Sequence, residues 1–401
     1  MSGRRYDVVV SGAGMIGLAL AKALAPSGLR IAVLDPKPIE RWRGGEWALR
    51  VSALTVVTER ILRALGAWEA MSAARVSPLR AIQVWDGVAR GSVHFDSAAI
   101  GEPHLGHIVE NNLTQTALYD ALLKHDNVTP IIPGTLTGFE TSDEKIELAL
   151  EDGRRLEAAL LVGADGAAST VRRLCGIDVR RGDYGQMGLV CTIRTEQPHG
   201  EVARQRFLPS GPLAFLPLND GRCSIVWSQP VAEAQRRLAL SEEAFCRELT
   251  EASDHMLGQV LGCGERGAFP LRKLHAVRYT APRVALIGDA AHVIHPLAGQ
   301  GANLGFADAA VLAEEILRAV ERGRDPGGQG ALRRYERRRR GENQLMQSTM
   351  DGFHYLFRSA SPWIALPRSL GLDLTDRLPP AKAFFMYRAM GFGGDLPRLA
   401  R

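Results

Sequence analysis

At 401 residues the chain is long enough for two or three domains. With 46% hydrophobic and 23% charged residues it is neither disordered nor collagen-like, and five cysteines are too few for a disulfide-stapled scaffold. The net charge of +5 is too small to argue for nucleic acid and better suits an anionic cofactor or an anionic membrane surface.

No window approaches the roughly 18 uninterrupted apolar residues of a membrane span. The apolar run 8–24 is broken by three glycines and reads as part of the fold, not as a targeting segment. Cys175, Cys191, Cys223, Cys246 and Cys263 form no C-x-x-C pair and stand beside no histidine at ligand spacing. They read as reduced core residues of a cytoplasmic protein, and no metal site is expected.

The first element is a buried strand over 6–11 (YDVVVS), followed by Gly12-Ala13-Gly14-Met15-Ile16-Gly17 and a helix. A second strand at 29–34 ends on Asp35, giving a βαβ unit. Residues 41–74 read as helical, 81–95 as strands and 113–123 as helix. A hairpin follows over 145–162, turning at Asp152-Gly153. From about 181 to 275 strands succeed one another with little helix between them, which predicts an antiparallel sheet and a second domain. Helix returns at 241–259. A buried strand at 283–288 precedes a long helix over 304–321, and the tail 341–401 reads as helix broken by prolines.

Gly12-x-Gly14-x-x-Gly17 lies between a strand and a helix. It combines a tight turn, a close backbone approach to a pyrophosphate and close helix–strand packing, while free N–H groups at the helix start favour an anion. Asp35 is placed to accept hydrogen bonds from a ribose. This motif alone does not separate FAD from NAD. Two further stretches, Gly163-Ala164-Asp165-Gly166 and Gly288-Asp289-Ala290-Ala291-His292, again set Asp beside glycine at a strand's C-terminal end, where ligands sit on open α/β sheets. No second dinucleotide fingerprint is visible.

Together GAGMIG, VGADGAAS and IGDAAHVIHPLAGQGANLG resemble the class A flavoprotein aromatic hydroxylases, the p-hydroxybenzoate hydroxylase-like group. The stretches Arg50-Val51-Ser52-Ala53-Leu54, Gln205-Arg206-Phe207 with Gly211-Pro212-Leu213-Ala214, 295–303 and the tail around 389–397 narrow the resemblance to the ubiquinone-biosynthesis hydroxylases. Ala48 and Asn112 depart from that family's usual acidic residue and arginine.

The resemblance implies an α/β fold. A Rossmann-like FAD-binding domain, discontinuous over 1–75, 101–180 and 276–340, would carry an inserted antiparallel substrate sheet (76–100 and 181–275) and a helical C-terminal region (341–401). It implies that Gly12, Gly14, Gly17 and Asp35 hold the ADP half of FAD, with Asp165 and Gly166 near the pyrophosphate and Gly288 and Asp289 at the ribityl chain. Arg50, Asn111 and Asn112 would lie near the flavin, and Gly299, Gly301, Ala302 and Asn303 would form a helix start aimed at its pyrimidine edge, stabilising negative charge there. Pro296 would cover the ring. The implied chemistry is NAD(P)H reduction of FAD, reaction with O2 to a C4a-hydroperoxide, and hydroxylation of an electron-rich phenol; the cofactor carries the difficult step. His295, Tyr184 and Gln300 are candidates to activate the phenol.

A polyprenylated phenol would need an apolar exit, for which Phe353, Tyr355, Leu356, Phe357, Trp363, Phe384 and Phe385 are candidates. A peripheral contact with the inner membrane face and a ubiquinone-biosynthesis complex are the implied surroundings. The basic run 333–340 reads first as a solvated helix face. Competing readings are a hydroxylase of a soluble aromatic or polyketide, and a non-catalytic FAD-binding scaffold. The hydroxylated ring carbon and the oligomeric state are not encoded in these motifs.

Overall fold

The computed structural model describes residues 4–295 and 299–401. Among these, eight strands form one sheet, nine a second and three a small third. The first sheet has a parallel centre running, in spatial order, Val284–Leu286, Arg155–Gly163, Arg4–Ser11, Ile31–Leu34 and Val128–Ile131. Val8, Val9, Val10, Leu160 and Leu161 have no exposure, as a parallel strand covered on both faces requires. The helix Met15–Leu24 packs on this sheet, and Asn111–Leu122 and Gln300–Val320 pack on that helix. The 146–163 hairpin supplies one of the central strands: Ile146–Leu150 pairs antiparallel with the first residues of Arg155–Gly163, whose last residues pair with Val284–Leu286, and Gly153 at the turn has φ +83°.

The nine-stranded sheet is the β-rich insertion. Its long strand Val179–Thr195 pairs antiparallel with Cys223–Pro230 on one side and Gly267–Ala276 on the other. Ala81–Asp86 and Ser92–Asp96 extend it, the former parallel to Val202–Leu208. The helix expected over 241–259 is realised as Glu242–Ala252, and a further helix, Val231–Leu238, precedes it.

Two other expectations change. Segment 41–74 is not helical throughout: Val51–Thr55 is a strand paired with Gly106–Glu110, and only then do the helices Val56–Ala64 and Trp68–Ala74 begin. Leu54, which fits the helical spacing, is held by that antiparallel ladder. The basic run is only partly a solvated face. Arg339 is buried on Asp308, Arg334 and Arg338 pair with buried Glu315, and the helix that carries the run, Gln329–Arg358, passes through position 340 unbroken. All five cysteines are free thiols.

Candidate functional site

Three turns at the C-terminal ends of parallel strands meet at one cavity of about 650 Å³. In the first turn Gly12 has φ +113°, and a Cβ there would lie 2.3 Å from the Ala164 carbonyl oxygen; one on Gly17 would lie 2.0 Å from that of Gly12. These two glycines let the turn nest against its neighbour. Gly14 differs: no heavy atom lies within 4 Å of its Cβ position, and it lines the cavity. It is the N-cap of Met15–Leu24 and offers no side-chain acceptor to the first-turn amides. Asp35 accepts from the Ala13 amide (2.8 Å) and the Lys37 amide (2.9 Å), tying the second strand's end to this turn.

In the second turn Asp165 accepts from Ser169 Oγ (2.5 Å) and the amides of Thr170 (2.7 Å) and Val171 (3.1 Å). Its carboxylate is thus engaged at the start of the short helix Thr170–Leu174, while its neighbour Gly166 lines the cavity. Arg172, buried, donates from its two terminal nitrogens to the carbonyls of Ala167 and Ala290, each at 2.7 Å, and so staples the second turn to the third.

The third turn begins at Gly288 (φ +57°) and sends Asp289 into the cavity. Crowding by protein pushes the Asp289 pKa up, opposed by His292 and Arg50. Behind it, fully buried Asp308 accepts from the Gly288 amide (3.1 Å), Arg339 Nε (2.8 Å) and Asn343 Nδ2 (3.0 Å), with His292 Nε2 at 2.5 Å. Burial alone would raise the Asp308 pKa; His292 and Arg339 outweigh it and hold the carboxyl well below its usual range.

Gly299 (φ +63°), Gln300, Gly301 and Ala302 line the cavity at the start of Gln300–Val320. Asn303 lies just outside the lining. Its Oδ1 accepts from the Thr55 amide (3.0 Å) and Thr58 Oγ1 (2.7 Å), and its Nδ2 donates to the Ala53 carbonyl (2.9 Å). It therefore fixes the helix start against Val51–Thr55. Arg50 and Asn111 line the cavity, Asn111 accepting from Ser52 Oγ at 2.6 Å. Asn112 accepts from the next amide, that of Leu113, at 2.9 Å. Buried Glu110 accepts from Trp42 Nε1 (2.9 Å) and the Ala48 amide (2.8 Å), anchoring the irregular segment that delivers Arg50.

The opposite wall is the inserted sheet. Pro212, Ala214 and Leu216 face the cavity from one strand, and Ser224, Val226 and Ser228 from the next. Their alternates, Leu213, Phe215, Ile225 and Trp227, pack on the far side against Phe245 and Leu249. Gln205, Phe269 and Leu271 complete this wall, with Leu79, Ile82, Val84, Leu105 and Ala389 at one end.

The described lining residues include Gln300 but neither Tyr184 nor His295; Pro296 lies outside the described residues. Tyr184 and His295 are nevertheless together, ring centroids 4.7 Å apart, with His354 at 4.9 and 5.0 Å from them. Tyr184 donates a short hydrogen bond to Asp351, which also pairs with Lys273 Nζ at 2.6 Å. Burial, with His354 adding to it, pushes the His295 pKa down to about 3. Sequence reasoning gave no role to Glu110, Arg172 or Asp308. Arg172 closes VGADGAASTVR and Glu110 opens ENNLTQTAL, but neither position follows a periodicity that reveals a carbonyl staple or an anchor.

The residues fit FAD. A cavity bordered by open glycines at 14, 166 and 301, with a carboxylate at 289 and a largely apolar sheet face beside them, has the donors and the room for a nucleotide joined to a flat ring. Residues 5–349 match the FAD binding domain family. The chain is 36% identical to the 3-demethoxyubiquinol 3-hydroxylase of Escherichia coli, covering 98% of this chain and all of that one. It is 37% identical to the ubiquinone hydroxylase UbiL of Rhodospirillum rubrum, over 98% and 92%. Among solved structures, PqsL of P. aeruginosa in complex with 2-aminobenzoylacetate superposes with a TM-score of 0.78 at 25% identity, covering 92% of this chain and 99% of that one. The chain belongs to the FAD binding domain family and, within it, to the FAD-dependent aromatic monooxygenases of ubiquinone biosynthesis.

Proposed function

We propose that this monooxygenase hydroxylates the aromatic ring of a polyprenylated phenol on the way to ubiquinone, using NAD(P)H and O2. The observation that carries the reading is one cavity running from the glycine turns to the small-residue face of the inserted sheet, with its apolar end at Leu79, Ile82, Leu105 and Ala389. Bound FAD supplies the chemistry: it takes a hydride from NAD(P)H and activates oxygen.

The chain's own groups bind, orient and keep water out. The first-turn amides behind Gly14 take the pyrophosphate, Asp35 the ribose and Asp289 the ribityl hydroxyls. The amides of Gln300–Ala302 aim the positive end of a long helix at the ring, favouring its anionic reduced state. Asp165, Gly12, Gly17, Asn112 and Asn303 act by positioning backbone. Gln300, Gln205, Ser224 and Ser228 are the polar groups able to hydrogen-bond a phenol oxygen, while Val226, Leu216 and Phe269 exclude water. Tyr184 and His295, which pack on each other outside the described lining, take a supporting role in this reading. The domain division follows: the parallel sheet binds FAD, the inserted sheet binds substrate, and the tail helices close the apolar end.

Those tail helices support a peripheral membrane contact. Among the described residues no helix is long and apolar enough to cross a membrane. Pro362–Arg377 instead exposes Leu366, Leu370 and Leu374 at helical spacing beside Trp363, which is 89% exposed. The next helix exposes Phe384 and Phe385 and ends at Ala389 on the cavity wall. A prenyl tail could thread from lipid to ring by this route.

The test is direct. Purified protein should carry FAD, and a prenylated phenol should accelerate NAD(P)H oxidation with formation of a product containing one added oxygen. A strain lacking the protein should accumulate that phenol. An unchanged quinone pool with a missing soluble aromatic product would overturn the substrate assignment. NAD(P)H oxidation indifferent to every prenylated phenol would leave only a scaffold. Trp363→Ser with Leu370→Ser should reduce sedimentation with anionic vesicles; unchanged sedimentation would remove the membrane contact.

A further inference from the structure

Outside the cavity, three side chains from separate elements converge. Glu59 lies on Val56–Ala64, His107 on Gly106–Glu110 and His104 on the loop before it. The antiparallel ladder that pairs Leu54 with His107 sets this arrangement. Gly106 permits it, because a Cβ at that position would come within 2.3 Å of the Leu54 carbonyl oxygen. His104 Nε2 lies 2.8 Å and His107 Nδ1 3.3 Å from the same oxygen, Glu59 Oε2, and the two imidazole centroids are 4.3 Å apart.

We propose that Glu59, His104 and His107 form a binding site for one zinc-class divalent ion. Four observations support it. Two imidazoles and a carboxylate are a donor set of borderline softness, suited to Zn2+ and its neighbours and not to Ca2+ or Mg2+. Bonds of about 2.0–2.1 Å in a tetrahedral site give ligand–ligand edges of about 3.3 Å; the His107–Glu59 separation matches this, and the 2.8 Å His104–Glu59 hydrogen bond would open slightly, the three donor atoms all lying within 4.8 Å of one another. Buried His107 Nδ1 lies 3.3 Å from Glu59 Oε2 yet makes no hydrogen bond of acceptable geometry. Lastly, the other carboxylate oxygen, Oε1, is held by Arg63 (Nη2 at 2.8 Å, Nε at 2.9 Å), which fixes Oε2 toward the imidazoles as an outer-shell partner does.

The His104 side chain is 21% exposed and provides the entry path. Three protein ligands leave the fourth position to water. An ion here would pin Val56–Ala64 to the 104–107 segment directly behind Thr55 and Leu105, both of which line the cavity.

The experiment is equilibrium dialysis of the FAD-loaded protein in buffered Zn2+, with metal counted per flavin and thermal unfolding followed in parallel. Co2+ substitution serves as an optical probe of coordination. The wild type should hold one Zn2+, with its unfolding midpoint raised by the ion. His104→Ala, whose side chain is partly exposed and whose fold is checked by its flavin absorption, should bind about 100-fold more weakly and lose the shift. Glu59→Gln, which keeps the shape, should do the same. A second, thiol-containing candidate, Glu242 with Cys246 and Cys263, is controlled by Cys263→Ser. Flavin-loaded wild type that retains no zinc overturns the proposal. So does zinc that survives both His104→Ala and Glu59→Gln, or that leaves only with Cys263→Ser.

Discussion

The two walls of the cavity are built on opposite plans. The nucleotide-side wall is mostly backbone: turns in which glycine at 12, 17, 288 or 299 meets a steric or torsional demand, and Asp289 protrudes. The inserted-sheet wall is made of side chains, chiefly every second residue of Gly211–Pro217, Cys223–Pro230 and Ala81–Asp86, with Leu213, Phe215, Ile225 and Trp227 turned toward Phe245 and Leu249 behind. Backbone turns tolerate almost no substitution, whereas an alternating sheet face can change one residue at a time without losing its pairing. The first wall is thus suited to holding one invariant ligand and the second to choosing among substrates.

That contrast breaks most sharply at Gly12 and Gly14. Gly12→Ala forces a Cβ against the Ala164 carbonyl at a φ that L-residues rarely adopt, and should destabilise the protein by about 4 kcal/mol or more. Gly14→Val points into open space and should leave the apoprotein folded while abolishing FAD binding. Thermal unfolding of the apoproteins separates the two. Equal midpoints would mean that both glycines serve the ligand.

Asp289→Ala tests the protruding carboxylate. Losing hydrogen bonds to the ribityl chain should weaken FAD about 100-fold, close to 3 kcal/mol. Because its surroundings already disfavour the charge, the apoprotein should be no less stable. A variant that keeps full flavin affinity, measured by titration of the apoprotein, would take Asp289 out of the cradle.

The same contrast explains what the sequence discloses. Steric demands at Gly12, Gly17 and Gly288 fall on consecutive residues beside strands of unbroken apolar text, so the parallel sheet and its turns are readable in linear order. The substrate wall is not. Phe207, Leu213, Phe215, Leu216 and Trp227 read alike as apolar strand residues, yet only Leu216 lines the cavity; Phe207 stacks on Phe357, and the rest form the sheet's far core. Which parity faces inward is decided by the layer on the other face, where Phe245 and Leu249 of the helix Glu242–Ala252 receive the large residues, and no single strand's text shows it. Tyr184 and His295 show the same limit: proximity in sequence to motif residues brings them to each other, on the side of Asp351 and His354. Leu54 fits a helical period and is a strand residue because Gly106 allows a partner to approach.

On the substrate wall a single replacement should be mild. Ser228→Leu adds bulk to the cavity face without touching the sheet's own core. FAD content and NAD(P)H affinity should stay unchanged, while kcat/KM for the phenol falls about 10-fold, or roughly 1.4 kcal/mol, with more H2O2 released per NAD(P)H. A parallel loss of FAD would show that the two walls are not separable at that depth.

The smallest effect lies where the walls meet. His295 is fully buried, touches Tyr184 of the inserted sheet, and precedes the segment that leads to the helix at Gln300. Its pKa is pushed down to about 3 in the fold, whereas an unfolded histidine titrates near about 6.5. The unfolded chain therefore takes up the proton first, so the stabilisation from neutral burial is complete above the unfolded value and is lost progressively as pH falls from there toward the folded one. Between pH 7 and pH 6 the wild type should lose about 0.7 kcal/mol that a His295→Asn variant does not lose. Denaturant unfolding of both proteins across that interval measures the difference of differences. A constant gap would mean that the ring already shares its proton with the protein, and that the seam between the two walls is open to water.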